Sequence, residues 1–193
     1  MKLFWAIILS MPLTLGHLAH AEEAAAAPKL TPHQMRDDTL DSLFAKLQQA
    51  SNDEDATLTE QKIWAAWAQS DSVTADVLLK QAEAAMGVGD NRASLTILNQ
   101  IIATYPTFAE AWNKRATLKF MIGRYDESLA DIEKVLDLEP RHFGALSGRG
   151  MIYASQKKWG DALTAYKSAL AVNPHMESVK TAIQLIEKTQ PEL

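Results

Sequence analysis

The chain has 193 residues, a formal net charge of -5, and 47% hydrophobic against 22% charged residues, enough to bury one core and too apolar for a disordered chain. With 19 Lys and Arg against 24 Asp and Glu, and no basic run interleaved with aromatics, nothing tracks a phosphate backbone, so no nucleic acid partner is expected. Cysteine is absent, which excludes disulfides, thiolate metal sites, a Cys nucleophile and a lipid-modified N-terminal cysteine.

Lys2, the apolar run from Leu3 to Leu15 and the small-x-small sequence Ala19-His20-Ala21 have the order of a secretory signal cleaved after Ala21. The apolar run is shorter than the ~20 residues that cross a bilayer. Removal of residues 1–21 is therefore expected, with no stable membrane insertion afterwards and a bacterial periplasm as the destination. Residues 22–31 are rich in Ala and contain Pro28, the composition of a flexible lead-in.

Thr31-Pro32-His33-Gln34 and Thr57-Leu58-Thr59-Glu60 both fit the capping box, so each is expected to open a helix. The first helix would carry Leu40, Leu43, Phe44 and Leu47, and the second Ile63, Trp64 and Trp67. Ser51 to Asp55 reads as the polar loop between them. Residues 32–74 thus form an N-terminal helical hairpin, a degenerate version of the repeat described next, whose register against that repeat the sequence leaves open.

Pro106, Pro140 and Pro174 lie 34 residues apart (106 to 140, 140 to 174), and other residue types recur in phase with them. The blocks are 75–108, 109–142 and 143–176. Their fourth places are Leu78, Trp112 and Leu146 and their eighth Ala82, Ala116 and Gly150, large and small one helical turn apart. Gly89, Gly123 and Lys157 hold the fifteenth place, followed by Ser94, Ser128 and Ala162. This pattern resembles the tetratricopeptide repeat (TPR) family, most fully in Leu146, Gly150, Tyr153, Trp159, Ala162, Tyr166, Ala169 and Pro174.

Each block also reads as a helix-turn-helix by itself, with two apolar stretches at i, i+3, i+4, i+7 spacing broken at the fifteenth place and closed by proline. A lone hairpin cannot bury its apolar face, so neighbours must stack. The expected fold is all-α, a tetratricopeptide-type solenoid of antiparallel helix pairs. It ends in a capping helix over 177–190 that carries Val179, Ile183 and Ile186 on one face.

Catalytic chemistry finds no footing. His33, His142 and His175 have no second ligand at a metal-binding spacing, and the last two follow repeat prolines as turn residues. Neither a nucleophile elbow nor a phosphate loop occurs in the chain. A non-catalytic protein without cofactor or metal is therefore expected. The seventh places Gln81, Arg115 and Arg149 face the partner helix, where a guanidinium needs a counter-charge. Counting eight residues either side of Gly123 pairs Arg115 with Asp131, a combination that TPR resemblance also implies. Ala165 stands where the third block would have its Asp, so Arg149 is expected to share Asp131.

In folds of this type the first helix of each pair lines a concave face through places two, five, nine, twelve and thirteen. These candidates are Leu79, Glu83 and Met86; Asn113, Thr117, Phe120 and Met121; and Ser147, Met151 and Ser155. The strip is rich in methionine, which adapts to apolar peptide surfaces. Another protein or peptide segment is the expected partner, which makes the chain an adaptor or assembly factor. Leu79 and Glu83 stand where TPR co-chaperones place the Lys and Asn that grip a terminal carboxylate, so that mode of binding is disfavoured. The alternatives are self-association of an envelope structural module through the same strip, or coverage of the strip by the chain's own terminal helices.

Overall fold

The structure, a computed structural model, describes residues 32–190. The signal expected at 1–21, the lead-in expected at 22–31 and Thr31 of the first capping box lie outside the described residues. Among those described there are nine helices and no strand: α1 (Pro32–Gln49), α2 (Asp53–Trp67), α3 (Val73–Gly87), α4 (Asn91–Thr104), α5 (Ala109–Met121), α6 (Tyr125–Leu138), α7 (Phe143–Ser155), α8 (Trp159–Val172) and α9 (Glu177–Thr189).

Three hairpins, α3/α4, α5/α6 and α7/α8, turn back through the same device. At each turn a left-handed residue follows the first helix: Gly89 at φ 78°, Gly123 at φ 77° and Lys157 at φ 58°. Its amide and the next one donate back into the last helical turn, as in Gly123 to the Phe120 carbonyl at 3.0 Å and Arg124 to the Lys119 carbonyl at 2.8 Å. Two otherwise orphaned carbonyls are thereby satisfied and the chain reverses within three residues.

Small residues at the eighth place let the paired helices close up. A Cβ on Gly150 would stand only 2.5 Å from the Tyr166 ring, so α7 and α8 approach as closely as they do because that position has no side chain. Hairpins then join through α4 with α5, α6 with α7 and α8 with α9, giving a right-through stack that α9 closes with Val179, Ile183 and Ile186.

One feature departs from the sequence reading, and one question that the sequence leaves open is answered. Helix α2 begins at Asp53, not at the Thr57 capping box: Asn52 caps it by accepting from the Asp55 amide at 2.9 Å. Asp53, Glu54 and Asp55 fill the first turn, where acidic side chains complement the helix dipole, so a stretch that reads as a polar loop is the helix start.

The α1/α2 hairpin does not head the stack. No packed interface joins α2 to α3 of the kind that joins α4 to α5. Instead Leu40, Leu43, Phe44, Leu47, Ile63 and Trp67 form a core with Phe143, the first residue of α7, and touch Val172, the last residue of α8, and Met176 beyond it. The hairpin lies across the array, against the turns that start α5, α7 and α9. None of the described helices is long and apolar enough to cross a membrane.

Candidate functional site

Helices α5 and α7 run side by side and leave a cavity of about 140 Å³ between them. Its walls bring together Asn113, Thr117, Phe120, Ser147 and Met151, with Ala116, Ile132 and Ile152 as the floor. Met151, 47% exposed, is a large apolar side chain in the wall of this cleft, and Met121, the last residue of α5, is 60% exposed. The Phe120 ring leans on Tyr125 with centroids 5.6 Å apart, which holds it in the wall. The hydroxyls here are turned onto their own helices: Thr117 donates to the Asn113 carbonyl, Ser147 to the Gly144 carbonyl and Ser155 to the Met151 carbonyl, at 3.0, 3.0 and 2.8 Å. The surface left for a guest is chiefly apolar.

The first block's candidates behave differently. Leu79 is buried, in the core with Leu98, Phe108, Ala111 and Leu118, and Met86 packs against the same cluster. That corrects the assignment of Leu79 to the groove: α3 leans on α5, so an apolar side chain at the fifth place of α3 fills the crease between them and never reaches solvent, while Met86 stays half-buried. Glu83 stays on the groove side, where it accepts from Lys114 at 2.8 Å.

Arg115 donates from Nε and one terminal nitrogen to the two oxygens of Asp131, at 2.9 and 2.7 Å, and its other nitrogen reaches Asn99 at 2.8 Å. The second cation on Asp131 is Lys119, at 2.7 Å. Arg149 does not share this carboxylate and pairs with Glu133 at 3.4 Å. The reason is steric order along α5: Lys119 lies one turn beyond Arg115 and fills the place that Arg149 would need.

A second polar centre, which the sequence reading did not find, lies at the N-terminal end of the groove. Glu110 is buried at the start of α5 and accepts from His142 Nε2 and Asn113 Nδ2, both at 3.0 Å, and from Lys114 at 3.2 Å. His142 caps α7, its Nδ1 accepting from the Ala145 amide at 3.1 Å. A backbone N–H can only donate, so the imidazole proton sits on Nε2 and points at Glu110. Burial pushes the Glu110 carboxyl up, yet the His142 hydrogen bond and the Lys114 ammonium outweigh it and hold the group below its ordinary value. Lys114, in turn, is depressed by burial but raised overall by Glu110 and Glu83.

Over this centre sit the two tryptophans of α2. Trp67 stacks on the His142 ring at 4.0 Å and 10°, and Trp64 meets His142 and Phe143 edge-on at 5.5 and 5.3 Å. The Lys114 ammonium lies 5.9 Å from the centroid of Trp64. At the rim, Arg141 pairs with Asp41 at 2.6 Å, Gln48 donates to the carbonyls of Ala171 and Val172 at 3.1 and 2.7 Å, and His175 donates to the Leu47 carbonyl at 3.0 Å. The N-terminal ends of α5 and α7, at His142 and Gly144, are therefore covered by the chain's own hairpin. The only sequence signals for this were a Glu at a groove place, a Gly at the equivalent place of the next block, and two tryptophans in a hairpin that matches the repeat poorly. Among the described residues no cluster of His, Asp or Glu is arranged to hold a metal ion.

Comparison with known proteins agrees with this architecture. The tetratricopeptide repeat model matches residues 79–131 and 113–176. A TPR repeat-containing protein of Rhizobium etli is 33% identical over 192 residues, spanning 96% of this chain and 94% of that one. Among solved structures, the first TPR of Spaghetti (RPAP3) bound to an HSP90 peptide superposes with a TM-score of 0.60 at 18% identity, over 63% of this chain and 97% of that chain. The protein MamA does so with a TM-score of 0.58 at 18% identity, over 85% and 87%. A relative aligned along nearly its whole length and a repeat model laid over α3 to α8 give one conclusion: the chain belongs to the tetratricopeptide repeat family.

Proposed function

We propose that this protein is a non-catalytic adaptor or assembly factor of the bacterial periplasm that holds a partner polypeptide on its concave face. The observation that carries the reading is the cleft between α5 and α7, where a chiefly apolar cavity lined by Phe120 and the exposed Met151 offers a surface of the sort that takes amphipathic segments. The peptide held by the structurally similar TPR of RPAP3 supports a peptide guest for this groove as well. The buried charges of α5 and α6 are spent on one another and offer a terminal carboxylate nothing, in keeping with Leu79 and Glu83 at the first clamp places.

Export rests on the residues 1–21 pattern. The test uses the full chain expressed with its leader. Osmotic-shock fluid should contain a protein beginning at Glu22, and a tagged copy should retain from envelope extract a partner that Phe120→Ala/Met151→Ala loses at least about tenfold, the loss expected when two anchors are truncated. An unchanged partner set for that double variant would overturn the groove, and retention of the leader in the cytoplasm would overturn the location. Self-association through the same strip is the competing reading, and a strictly monomeric light-scattering mass removes it.

A further inference from the structure

The cavity between α5 and α7 and the footprint of α2 are two stretches of one surface, and Gly144 belongs to both. It lines the cavity, and a Cβ on it would run into Cη2 of Trp64. Groove places nearer the N-terminal ends of these helices, Glu110 and Gly144, lie under the α2 tryptophans, whereas Thr117, Phe120 and Met151 are uncovered. We infer that the surface beneath α2 is the second half of the guest groove, held shut by the chain's own hairpin, and that its guest is a helical segment presenting two aromatic side chains three residues apart. The inference rests on the reading of α5 and α7 as the guest face and names what the covered half takes.

The hairpin itself is the template for that guest. Trp64 and Trp67 stand one helical turn apart on α2, so they reach the surface side by side. One enters the gap over Gly144 beside the Lys114 ammonium, and the other lies flat on His142. A flat imidazole, a notch without a side chain and a cation beside an aromatic face form a receptor for aromatic rings.

Three observations make the hairpin displaceable. It shares no packed interface with α3 and is joined to it through residues 68–72. Several of the polar ties at its rim, among them those of Asp41 and Gln48, are exposed to water, where such ties hold weakly. The Trp67 Nε1 proton is buried without a protein acceptor, so a guest with phenylalanine in that place would bind without stranding a donor.

The experiment uses the full chain and a fluorescent peptide of residues 32–67, followed by anisotropy. Trp64→Ala/Trp67→Ala in the chain loosens its own hairpin while leaving the receptor intact. This chain should bind the peptide at least about tenfold more tightly than the wild type, whose site is open only a small fraction of the time. Adding Gly144→Val to the double variant, or removing both tryptophans from the peptide, should abolish the gain. Equal affinity for all three chains, or binding to none, overturns the inference.

Amide exchange on the unmodified chain gives an independent reading. Residues of α1 and α2 should exchange faster than those of α5 to α8, by an opening of the hairpin alone. Exchange of both in step would mean that the hairpin is a fixed part of the fold and would equally overturn the inference. Loss of the partner in the Phe120 and Met151 variant with failure of these two tests would leave the open groove standing and remove only the cover.

Discussion

Glu110 ties three parts of the molecule together through one carboxylate: α5, the cap of α7 through His142, and α3 through Lys114 and Glu83. Because its folded-state pKa lies below the ordinary glutamate value of 4.5, the stability it contributes is present above that value and is lost as pH falls through the lower, folded one. Glu110→Gln should therefore destabilise the chain near neutrality by about 2 kcal/mol, the worth of a hydrogen bond to a charged group. The penalty should shrink toward zero as the pH is lowered below 4.5. Urea melts of both proteins between neutral and acid pH check this, and a penalty that stays constant with pH would show that the carboxylate is not ionised. At this scale counting in the sequence reaches only some pairs. Positions equidistant from Gly123 face each other across a hairpin, which is where Arg115 meets Asp131. Lys119 and Glu133 escape such counting because which cation wins a carboxylate depends on side-chain reach and not on backbone register. Glu110 and His142 escape it because they are 32 residues apart and meet only once two repeats have stacked.

Helices α3 to α8 were legible because proline period, small residues and turn residues all repeat in phase, so that local signals agree with one another. The start of α2 was misread for a related reason: an acidic first turn has no apolar periodicity, and polarity alone suggests a loop. The third turn shows where a repeat departs from its own rule. Lys157 sits at φ 58° where the first two turns have glycine, and a side chain in that conformation brings Cβ close to the backbone. Lys157→Gly should stabilise the chain by up to about 1 kcal/mol, less whatever glycine gains in the unfolded chain. A thermal melt decides the matter: a lowered Tm would mean that Lys157 makes compensating contacts in the turn, whereas Gly89→Lys or Gly123→Lys should lower Tm by a similar amount.

At the scale of the whole molecule the chain is a quasi-linear array with one long-range exception, and Phe143 is where the two meet. It is fully buried, opens α7, and touches Phe44, Trp64 and Trp67 at centroid distances of 6.5, 5.3 and 5.0 Å. Contacts between neighbouring repeats are short in sequence and visible in its pattern; the hairpin joins residues about a hundred positions away, as in Arg141 with Asp41, which no periodicity encodes. Phe143→Ala should cost about 3–5 kcal/mol at that junction. Because each repeat rests mainly on its neighbours, the loss should fall on the hairpin and spare the stack. With 5-fluorotryptophan incorporated, the resonances of Trp64 and Trp67 should lose their folded shifts at a urea concentration at least about 1 M below the midpoint of the helical signal, given slopes of ~1–3 kcal/mol per M. The unsubstituted chain should show a smaller separation. Coincident transitions in Phe143→Ala would mean that hairpin and repeats unfold as a single unit with the cost spread through α7, and the view of α1 and α2 as a separately docked element would fail with it.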